Sequence, residues 1–335
     1  MISEIKSGDR KKVHYDISVI VLTYEQPAHK VLLTLASAVG QEKVDIQIIL
    51  SDDGSSNPCL QECIDLMETA GFKEYKAIYH SQNIGTVMNF KDALEAADGE
   101  YIKSFGPGDC FSTNQAAYLW LVDVKKKKSR LSFCDAAYYR ENQEKFESVI
   151  EVAHPQNLYV YDKKKKLQKK YYLLFNDIFL AAAVMCEKNL MYRYLQNICN
   201  KVKYAEDNMF RLMMLDNVEC THFAYNAVYY EWGCGVSTKE GSEFQKAIKR
   251  DWEETTEYIC EHCRNNYLEN KIKNYYLSDK TRRMFWDKIY YGLARLDFFI
   301  YNKRGLSKRL TESGDLKYLY ILKNYWLEFK KVSDK

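Results

Sequence analysis

The chain has 335 residues, of which 47% are hydrophobic and 28% charged, so it fits one large folded domain or two and not a disordered protein. Its formal net charge is only +3, no nucleic-acid-binding motif accompanies its lysine runs, and no uncharged apolar stretch approaches the roughly 18 residues of a membrane span. The first residues lack the apolar segment of a signal peptide, and ten cysteines without such a signal are typical of reduced thiols, so we expect a cytoplasmic protein without a nucleic-acid partner.

The first third of the sequence alternates strand and helix patterns. Apolar, β-rich runs predict strands at 17–24, 44–52, 75–80 and 99–106, and helical patterns lie between them at 27–39, 57–70 and 86–97. Strands that alternate with helices of this length favour right-handed crossovers and a mostly parallel sheet. We therefore predict a doubly wound α/β unit, in which ligands bind beyond the carboxyl ends of the strands.

Two polar clusters follow predicted strands of this unit. The first is Ser51-Asp52-Asp53-Gly54-Ser55, and the second is Gly106-Pro107-Gly108-Asp109-Cys110. Adjacent carboxylates at a buried strand end are costly unless they face water or hold a ligand, and glycines let the backbone approach a ligand closely. One such loop is more often a solvated turn with a helix cap, but two at one edge of a sheet favour a binding site. Neither matches a dinucleotide-binding or P-loop motif.

Five segments, taken in order, resemble those of the family 2 glycosyltransferases, which are inverting enzymes of the GT-A fold. They are ISVIVLTY (17–24), SDDGSSN (51–57), NIGTVMNF (83–90), GEYIKSFGPGD (99–109) and YAEDNMFRLMM (204–214), and the resemblance covers about residues 15–237. It implies a Rossmann-like, mostly parallel sheet flanked by helices in a GT-A domain at 15–238, after an N-terminal extension at 1–14. Helical patterns take over beyond residue 240, so we expect a helical C-terminal region at 239–335.

The resemblance implies a nucleotide pocket in the α/β unit. Thr23, Tyr24, Asn83 and Gly108 would line it, and Asp53 would accept hydrogen bonds from the base or ribose of a nucleotide-sugar. Asp52 would be the more structural aspartate of the pair. The ring of Tyr24 could stack on a pyrimidine, with plain packing as an equal alternative.

Asp109 is the metal ligand that the resemblance implies. Relatives carry more acids in this segment, whereas Gly106 and Gly108 stand here in place of two aspartates. A single carboxylate can still hold Mg²⁺ or Mn²⁺ that the donor's diphosphate already bridges, and such a metal would neutralise the leaving group. The alternative is that metal dependence is weak or lost.

Glu206 and Asp207 open a predicted helix, whose N-terminus favours anions. The resemblance implies that Asp207 is the general base that deprotonates the acceptor hydroxyl and that Glu206 supports it or faces the acceptor. A simple helix cap is the alternative. Farther along, Trp232 could stack against a sugar ring or be a buried structural residue, and Gly233 and Gly235 suggest a mobile loop.

The segment 281–305 has the pattern of a basic amphipathic helix, with Phe285, Ile289, Leu293, Leu296 and Ile300 on one stripe. Such a helix can lie on an anionic membrane surface, which would place the protein at the inner face of the cell membrane. The more common role of such a helix is to pack on the catalytic domain or on a partner subunit, which here can be a second copy of the chain.

The sequence therefore predicts a metal-dependent, inverting glycosyltransferase. It would move a sugar from a nucleotide-sugar donor, with UDP-sugars as the first choice, to a saccharide or lipid-linked saccharide acceptor in bacterial surface-polysaccharide synthesis. The eroded acidic motif leaves a catalytically weakened nucleotide-sugar-binding or scaffold protein as one alternative. A nucleotidyltransferase on a similar sheet is the other.

Overall fold

The computed structural model describes residues 2–9, 12–142, 145–149, 155–233, 243–277, 288–293, 296 and 316–333. Within these residues a ten-stranded sheet carries helices on both faces. Its strands are β1 Ile2–Ser7, β2 Tyr15–Thr23, β3 Ile46–Asp52, β4 Tyr75–His80, β5 Gly99–Phe105, β6 Cys110–Phe111, β7 Leu131–Asn142, β8 Lys145–Val149, β9 Val184–Glu187 and β10 Thr221–Glu231.

The helices vary from one and a half turns to more than five. They are α1 Ala28–Val39, α2 Leu60–Thr69, α3 Thr86–Ala96, α4 Ala116–Lys127, α5 Leu158–Lys163, α6 Gln168–Leu174, α7 Lys188–Ile198, α8 Asn208–Leu215, α9 Glu243–His262, α10 Tyr267–Leu277 and α11 Lys317–Ser333. The predicted strands and helices of the first third are all present, with bounds shifted by at most three residues.

Four parallel strands form the part of the sheet that positions the candidate site. Their order is β4-β3-β2-β5, and each pairs in parallel with its neighbour. Since β3 and β4 extend to one side of β2 while β5 lies on the other, the direction of winding reverses between β2 and β5. The loops beyond the carboxyl ends of these strands therefore surround a crevice where open α/β sheets bind their ligands.

The rest of the sheet is mixed. β9 lies between β5 and β7 and is antiparallel to both, whereas β10 is parallel to β7 and antiparallel to β6. β8 forms a hairpin with β7, and β1 adds an antiparallel edge to β4. β1 lies in the segment 1–14, for which the sequence predicted no strand. Its Ile5 is 52% exposed, so this strand has little of the hydrophobic signature that predicted the others.

The described C-terminal helices pack on both faces of the sheet. Leu319 and Leu322 of α11 join the core formed with α1, α2 and α4, while Ile259 of α9 and Ile272 of α10 join the core of the opposite face. No helix among the described residues is long and apolar enough to cross a bilayer.

The predicted amphipathic helix at 281–305 is described only at 288–293 and 296, and its other positions, including Phe285 and Ile300, lie outside the described residues. Residues 288–293 are helical, with Tyr291 buried in the second core. Leu293 and Leu296 are 61% and 56% exposed.

Candidate active site

Asp52 fixes the loop that follows β3. Its Oδ2 accepts hydrogen bonds from the hydroxyls of Thr23 and Ser55, both at 2.8 Å, and its Oδ1 accepts the Ser55 backbone N–H, also at 2.8 Å. The imidazole Nδ1 of His80 lies 3.0 Å from the Asp52 carbonyl oxygen and, since that oxygen only accepts, donates to it. Asp52 is 2% exposed. These bonds agree with the structural role that the sequence suggested for Asp52.

Asp53 joins the end of β3 to the start of α3. Its Oδ1 accepts the Ile84 N–H at 2.7 Å and its Oδ2 accepts the Gly85 N–H at 3.1 Å. Burial raises the pKa of Asp53 above its ordinary value, although these two N–H groups oppose the shift. The sequence did not foresee this backbone role, and contact with a nucleotide, which stays a prediction, would use the remaining lone pairs of the carboxylate.

The other predicted pocket residues differ in exposure. Thr23 is buried with its hydroxyl committed to Asp52, whereas Tyr24 is 42% exposed, which argues against the packing alternative and leaves its ring open to a ligand. Asn83 is half-buried in the turn before α3. Their contact with a nucleotide stays a prediction.

Gly85 permits a close contact between this pocket and the loop before α8. Its φ is +94°, and a Cβ at this position would lie 2.6 Å from the Lys203 side chain and 2.7 Å from the Lys203 carbonyl oxygen. That carbonyl accepts the Val87 N–H at 3.1 Å. The start of α3 therefore links Asp53 to the chain that leads into Glu206 and Asp207.

Gly108 places the second polar loop against α1. Its φ is +99°, its N–H donates to the Thr34 hydroxyl at 2.9 Å, and its carbonyl accepts the Tyr139 hydroxyl at 2.5 Å. The backbone groups of Gly108 are thus used within the protein. Its predicted part in nucleotide binding would rest on the close approach that the missing side chain allows.

Asp109 is almost buried beside a buried lysine. Its Oδ1 accepts the Glu231 backbone N–H at 3.1 Å, and burial raises its pKa. Lys103 is fully buried; its Nζ donates to the carbonyls of Ser104 and Ala182, at 2.6 Å each. Burial lowers the pKa of Lys103, and the attraction between Lys103 and Asp109 opposes both shifts. Lys103 is therefore a buried basic partner of Asp109.

Glu231, at the end of β10, completes this side of the crevice and was not assigned a role from the sequence. Lys30 of α1 donates to both of its carboxylate oxygens, at 2.7 and 2.8 Å. A Cβ on Gly108 would lie 2.3 Å from Glu231 Oε2. Lys30 and Glu231 are 201 residues apart in the chain, so no local pattern could have indicated the pair.

The residues around Gly108 suit a divalent ion that a substrate helps to hold. Among the described residues, no group of three or more His, Cys, Asp or Glu side chains could hold a metal by itself. Asp109 and Glu231 nevertheless bring two carboxylates to Gly108, whose missing Cβ leaves the space that Glu231 fills. Mg²⁺ and Mn²⁺ bind hard oxygen ligands, and one or two carboxylates with substrate phosphates suffice for Mg²⁺. The donor set therefore fits such an ion.

Glu206 and Asp207 precede α8 without capping it through their side chains. Backbone carbonyls accept the first helical N–H groups instead. The Met209 N–H donates to the Glu206 carbonyl at 3.2 Å, and the Phe210 N–H donates to the Asp207 carbonyl at 3.0 Å. Burial raises the pKa of both carboxyls; the Asp207 charge raises that of Glu206 further, while Arg211 lowers that of Asp207. The helix-cap alternative is therefore not supported, and the charge of Asp207 disfavours ionisation of the neighbouring Glu206.

Asp251 of α9 holds the loop that leads into this acid pair. Its Oδ1 accepts the Lys203 N–H at 3.1 Å, and its Oδ2 accepts the N–H groups of Tyr204 and Ala205 at 2.7 and 3.0 Å. Asp251 is 5% exposed. No sequence pattern indicates this contact, because it joins residues 203–205 to a helix of the C-terminal region.

Trp232 is half-buried at the end of β10. Its ring stands edge-to-face against Tyr138 and Tyr230, with centroids 6.0 and 6.4 Å apart, and its backbone N–H donates to the Tyr139 carbonyl at 2.7 Å. These contacts favour a packing role for Trp232. Gly235 lies outside the described residues.

Comparison with known proteins agrees with this geometry. Residues 18–118 match the model of glycosyl transferase family 2. Residues 1–349 of Staphylococcus aureus TarS share 15% identity with this chain at a TM-score of 0.53, over 78% of this chain and 70% of that one. The UDP-GlcNAc complex of TarS gives a TM-score of 0.56 at 14% identity, over 78% and 71%.

A third structure covers more of the chain. The mannosyltransferase PcManGT from Pyrobaculum calidifontis, in complex with GDP-Man and Mn²⁺, gives a TM-score of 0.53 at 11% identity over 92% of both chains. No curated protein matches the sequence. Residues 18–118 thus belong to glycosyl transferase family 2, and the fold is of the GT-A type, which confirms the resemblance stated from the motifs. The class that this matched segment and the fold indicate is that of the glycosyltransferases.

Proposed function

We propose that the protein is an inverting glycosyltransferase that moves a sugar from a nucleotide-sugar, with a UDP-sugar as the first candidate, to a saccharide or lipid-linked saccharide acceptor. Its setting would be cell-surface polysaccharide synthesis at the cytoplasmic side of the membrane. The observation that carries the proposal is the pair Glu206–Asp207, two half-buried carboxyls with raised pKa values that the helix after them does not use.

The acid pair supports general base catalysis. Because neighbouring carboxyls disfavour a second charge, the pair titrates as a unit and keeps one proton longer than an isolated acid would. Arg211 lowers the pKa of Asp207, so Asp207 is the member that ionises first. Ionised Asp207 would take the proton of the acceptor hydroxyl as its oxygen attacks the anomeric carbon. Attack on the face opposite the departing diphosphate inverts the anomeric configuration.

The donor would lie in the crevice between β2 and β5. Tyr24 offers an exposed ring for the base, while Thr23, Asp53 and Asn83 shape the pocket around it. A divalent metal, when bound, supplies positive charge to the leaving diphosphate. Asp109 would hold that metal.

A donor screen tests the proposal. Since one structural neighbour is shown with UDP-GlcNAc and another with GDP-Man, both UDP-sugars and GDP-sugars belong in the screen. Thermal shift identifies the donor that binds, and release of its nucleoside diphosphate with an oligosaccharide acceptor and Mn²⁺ then measures transfer. We expect one donor class to stabilise the protein and to be turned over.

The alternatives give different outcomes in the same assay. Binding without turnover across the acceptors would favour the scaffold alternative. Pyrophosphate released from a nucleoside triphosphate would favour the nucleotidyltransferase.

A further inference from the structure

Glu231 lies against the loop in which the resemblance places the metal. Its backbone N–H donates to Asp109 Oδ1 at 3.1 Å, and its side chain is only 4% exposed. A buried carboxylate is costly unless it is paired, and the partner of this one is the Lys30 ammonium. Glu231 therefore brings a second carboxylate, from the far end of the chain, to the surroundings of Asp109.

Gly108 makes room for this carboxylate. With φ at +99° and a would-be Cβ only 2.3 Å from Glu231 Oε2, position 108 cannot carry a side chain while Glu231 keeps its place. The resemblance puts an aspartate at position 108. The Glu231 carboxylate thus occupies the space beside position 108, where the resemblance puts an aspartate and this chain has glycine.

Without a donor, the charges of this corner are paired. Glu231 is bonded to the ammonium of Lys30, and Asp109 lies near the buried Lys103. A donor's diphosphate adds more negative charge, and without a cation between them the two carboxylates would repel it. Carboxylates and phosphate oxygens together are the ligands that Mg²⁺ and Mn²⁺ prefer.

We propose that Glu231 is the second carboxylate of a divalent-metal site with Asp109, and that Lys30 is a resident counter-ion which the metal displaces. The proposal rests on the proposed function, since the metal would serve the donor's diphosphate. Lys30 Nζ bonds both oxygens that the metal would use, and its side chain is 16% exposed, so it can leave toward solvent. Metal and ammonium therefore compete for Glu231.

This competition predicts effects of opposite sign. Glu231→Gln removes a metal ligand and should weaken Mn²⁺ binding, measured by electron paramagnetic resonance or calorimetry with saturating UDP or GDP, by on the order of 10–100-fold. Lys30→Met removes the competitor and should strengthen Mn²⁺ binding several-fold. Lys30→Met also leaves the Glu231 carboxylate without a counter-charge, so without metal the variant should melt at a lower temperature than the wild type. Adding Mn²⁺ should raise the melting temperature of the variant more than that of the wild type.

A neighbouring ion pair provides matched controls. Lys323 of α11 donates to Glu141 of β7 at 3.2 Å, with side chains 15% and 20% exposed, so this pair matches Lys30 and Glu231 in type. Lys323→Met and Glu141→Gln should leave Mn²⁺ affinity unchanged. A thermal melt of each variant shows whether it is folded before titration.

Three outcomes would decide against the proposal. If folded Glu231→Gln bound Mn²⁺ as tightly as the wild type, the proposed role of Glu231 would be wrong, while the proposed function would stand. A loss of UDP affinity in Lys30→Met when EDTA is present would also overturn the proposal, because the ammonium would then contact the diphosphate itself. Failure of the wild-type protein to bind UDP or GDP, with or without Mn²⁺, would overturn the proposed function as well.

Discussion

At the start of α8, Asp207 and Glu206 lie side by side with no side-chain cap bond, and burial raises the pKa of each. Leaving two such acids half-buried is a cost that the packing of the helix does not explain. Raised pKa values of this kind in neighbouring carboxyl groups are typical of catalytic sites.

Asp207→Asn should therefore abolish most transfer and spare donor binding. A general base contributes about 10²–10⁴-fold to the rate, and Asp207 would act on the acceptor, so kcat should fall by that order while UDP affinity stays the same. Single-turnover kinetics and calorimetry with UDP measure the two quantities separately. Glu206→Gln is the matched variant, for which we expect a smaller loss. Wild-type turnover by Asp207→Asn would remove this residue from the mechanism.

Asp53→Ala should weaken UDP binding through the backbone as well as through any direct contact. The substitution leaves the N–H groups of Ile84 and Gly85 without their carboxylate, and hydrogen bonds to charged groups contribute about 1.5–3 kcal/mol each. We expect UDP affinity to fall by an amount of that size, measured by calorimetry, together with a lower melting temperature. Unaltered UDP affinity in this variant would mean that the SDDGSS segment is a solvated turn and does not bind the nucleotide.

The sequence located the acidic residues but not their partners. Asp53, Asp109 and the pair at 206–207 stand at the ends of recognisable strand and helix patterns, and so could be found by reading along the chain. What each carboxylate touches depends on residues far away in sequence, such as Lys30 for Glu231 and Asp251 for the loop at 203–205. Pairings of this range leave no periodic signal.

Helix α9 contributes a buried carboxylate to the surroundings of the candidate site. Asp251 accepts three backbone N–H groups from consecutive residues directly before Glu206. Its charge also raises the pKa of both members of the acid pair. The orientation and the electrostatics of the pair therefore both depend on α9.

Asp251→Asn should lower kcat and shift the acid limb of the pH–rate profile to lower pH, because the amide no longer raises the pKa of the pair. UDP affinity should stay the same, and the melting temperature should fall since an amide cannot accept all three bonds equally well. Glu254→Gln, an exposed acid on the same helix, is the matched control. A lower melting temperature with an unshifted profile would mean that Asp251 serves stability alone.

The strands divide into those that the sequence predicted and those that it did not. β2, β3, β4 and β5 are largely buried. β2 and β3 are long apolar runs, and β4 and β5 combine apolar residues with Lys76 and Lys103, so apolar patterns indicated all four. β1 is a more exposed edge strand, and β6 has only two residues. Short or half-exposed strands are selected by tertiary pairing and carry too little local pattern to be recognised.

At the scale of the whole molecule, His222 of β10 forms polar contacts with carboxylates of α5 and β7. Its Nδ1 lies 3.0 Å from Asp162 of α5, its Nε2 lies 3.2 Å from Asp135 of β7, and its ring stacks on Phe133 at 4.9 Å. The Lys127 ammonium bonds its backbone carbonyl at 2.7 Å. Burial lowers the pKa of His222, but the two carboxylates outweigh burial and raise it above the ordinary value of 6.5.

Protonated His222 therefore stabilises the fold at mildly acidic pH. A histidine with a raised pKa gives its full contribution below its unfolded pKa of 6.5 and loses it as pH rises through the folded value. The free energy of unfolding should fall with rising pH in this window, by at most about 1.4 kcal/mol per pH unit for one proton. His222→Gln should show a smaller slope in urea unfolding; His80, whose pKa is also raised, leaves a residual slope. Equal slopes in wild type and variant would contradict the assignment.

The described C-terminal helices pack against both faces of the sheet. α11 buries Leu319 and Leu322 beside α1, and α9 and α10 bury Ile259 and Ile272 against the opposite core. The helical character of this region followed from its sequence patterns, but its packing did not, because an amphipathic stripe does not say which surface covers it.

The left-handed turn at Gly108 limits the routes by which this sequence can change. A substitution of Gly108 by aspartate would return the acid of related sequences, yet its Cβ would meet Glu231 Oε2 at 2.3 Å and its φ of +99° disfavours any side chain. The reverse order is open, since shortening Glu231 first empties the space. An aspartate at position 108 therefore requires the Glu231 carboxylate to move away or to be shortened, and in either case Lys30 would face the crevice without its carboxylate.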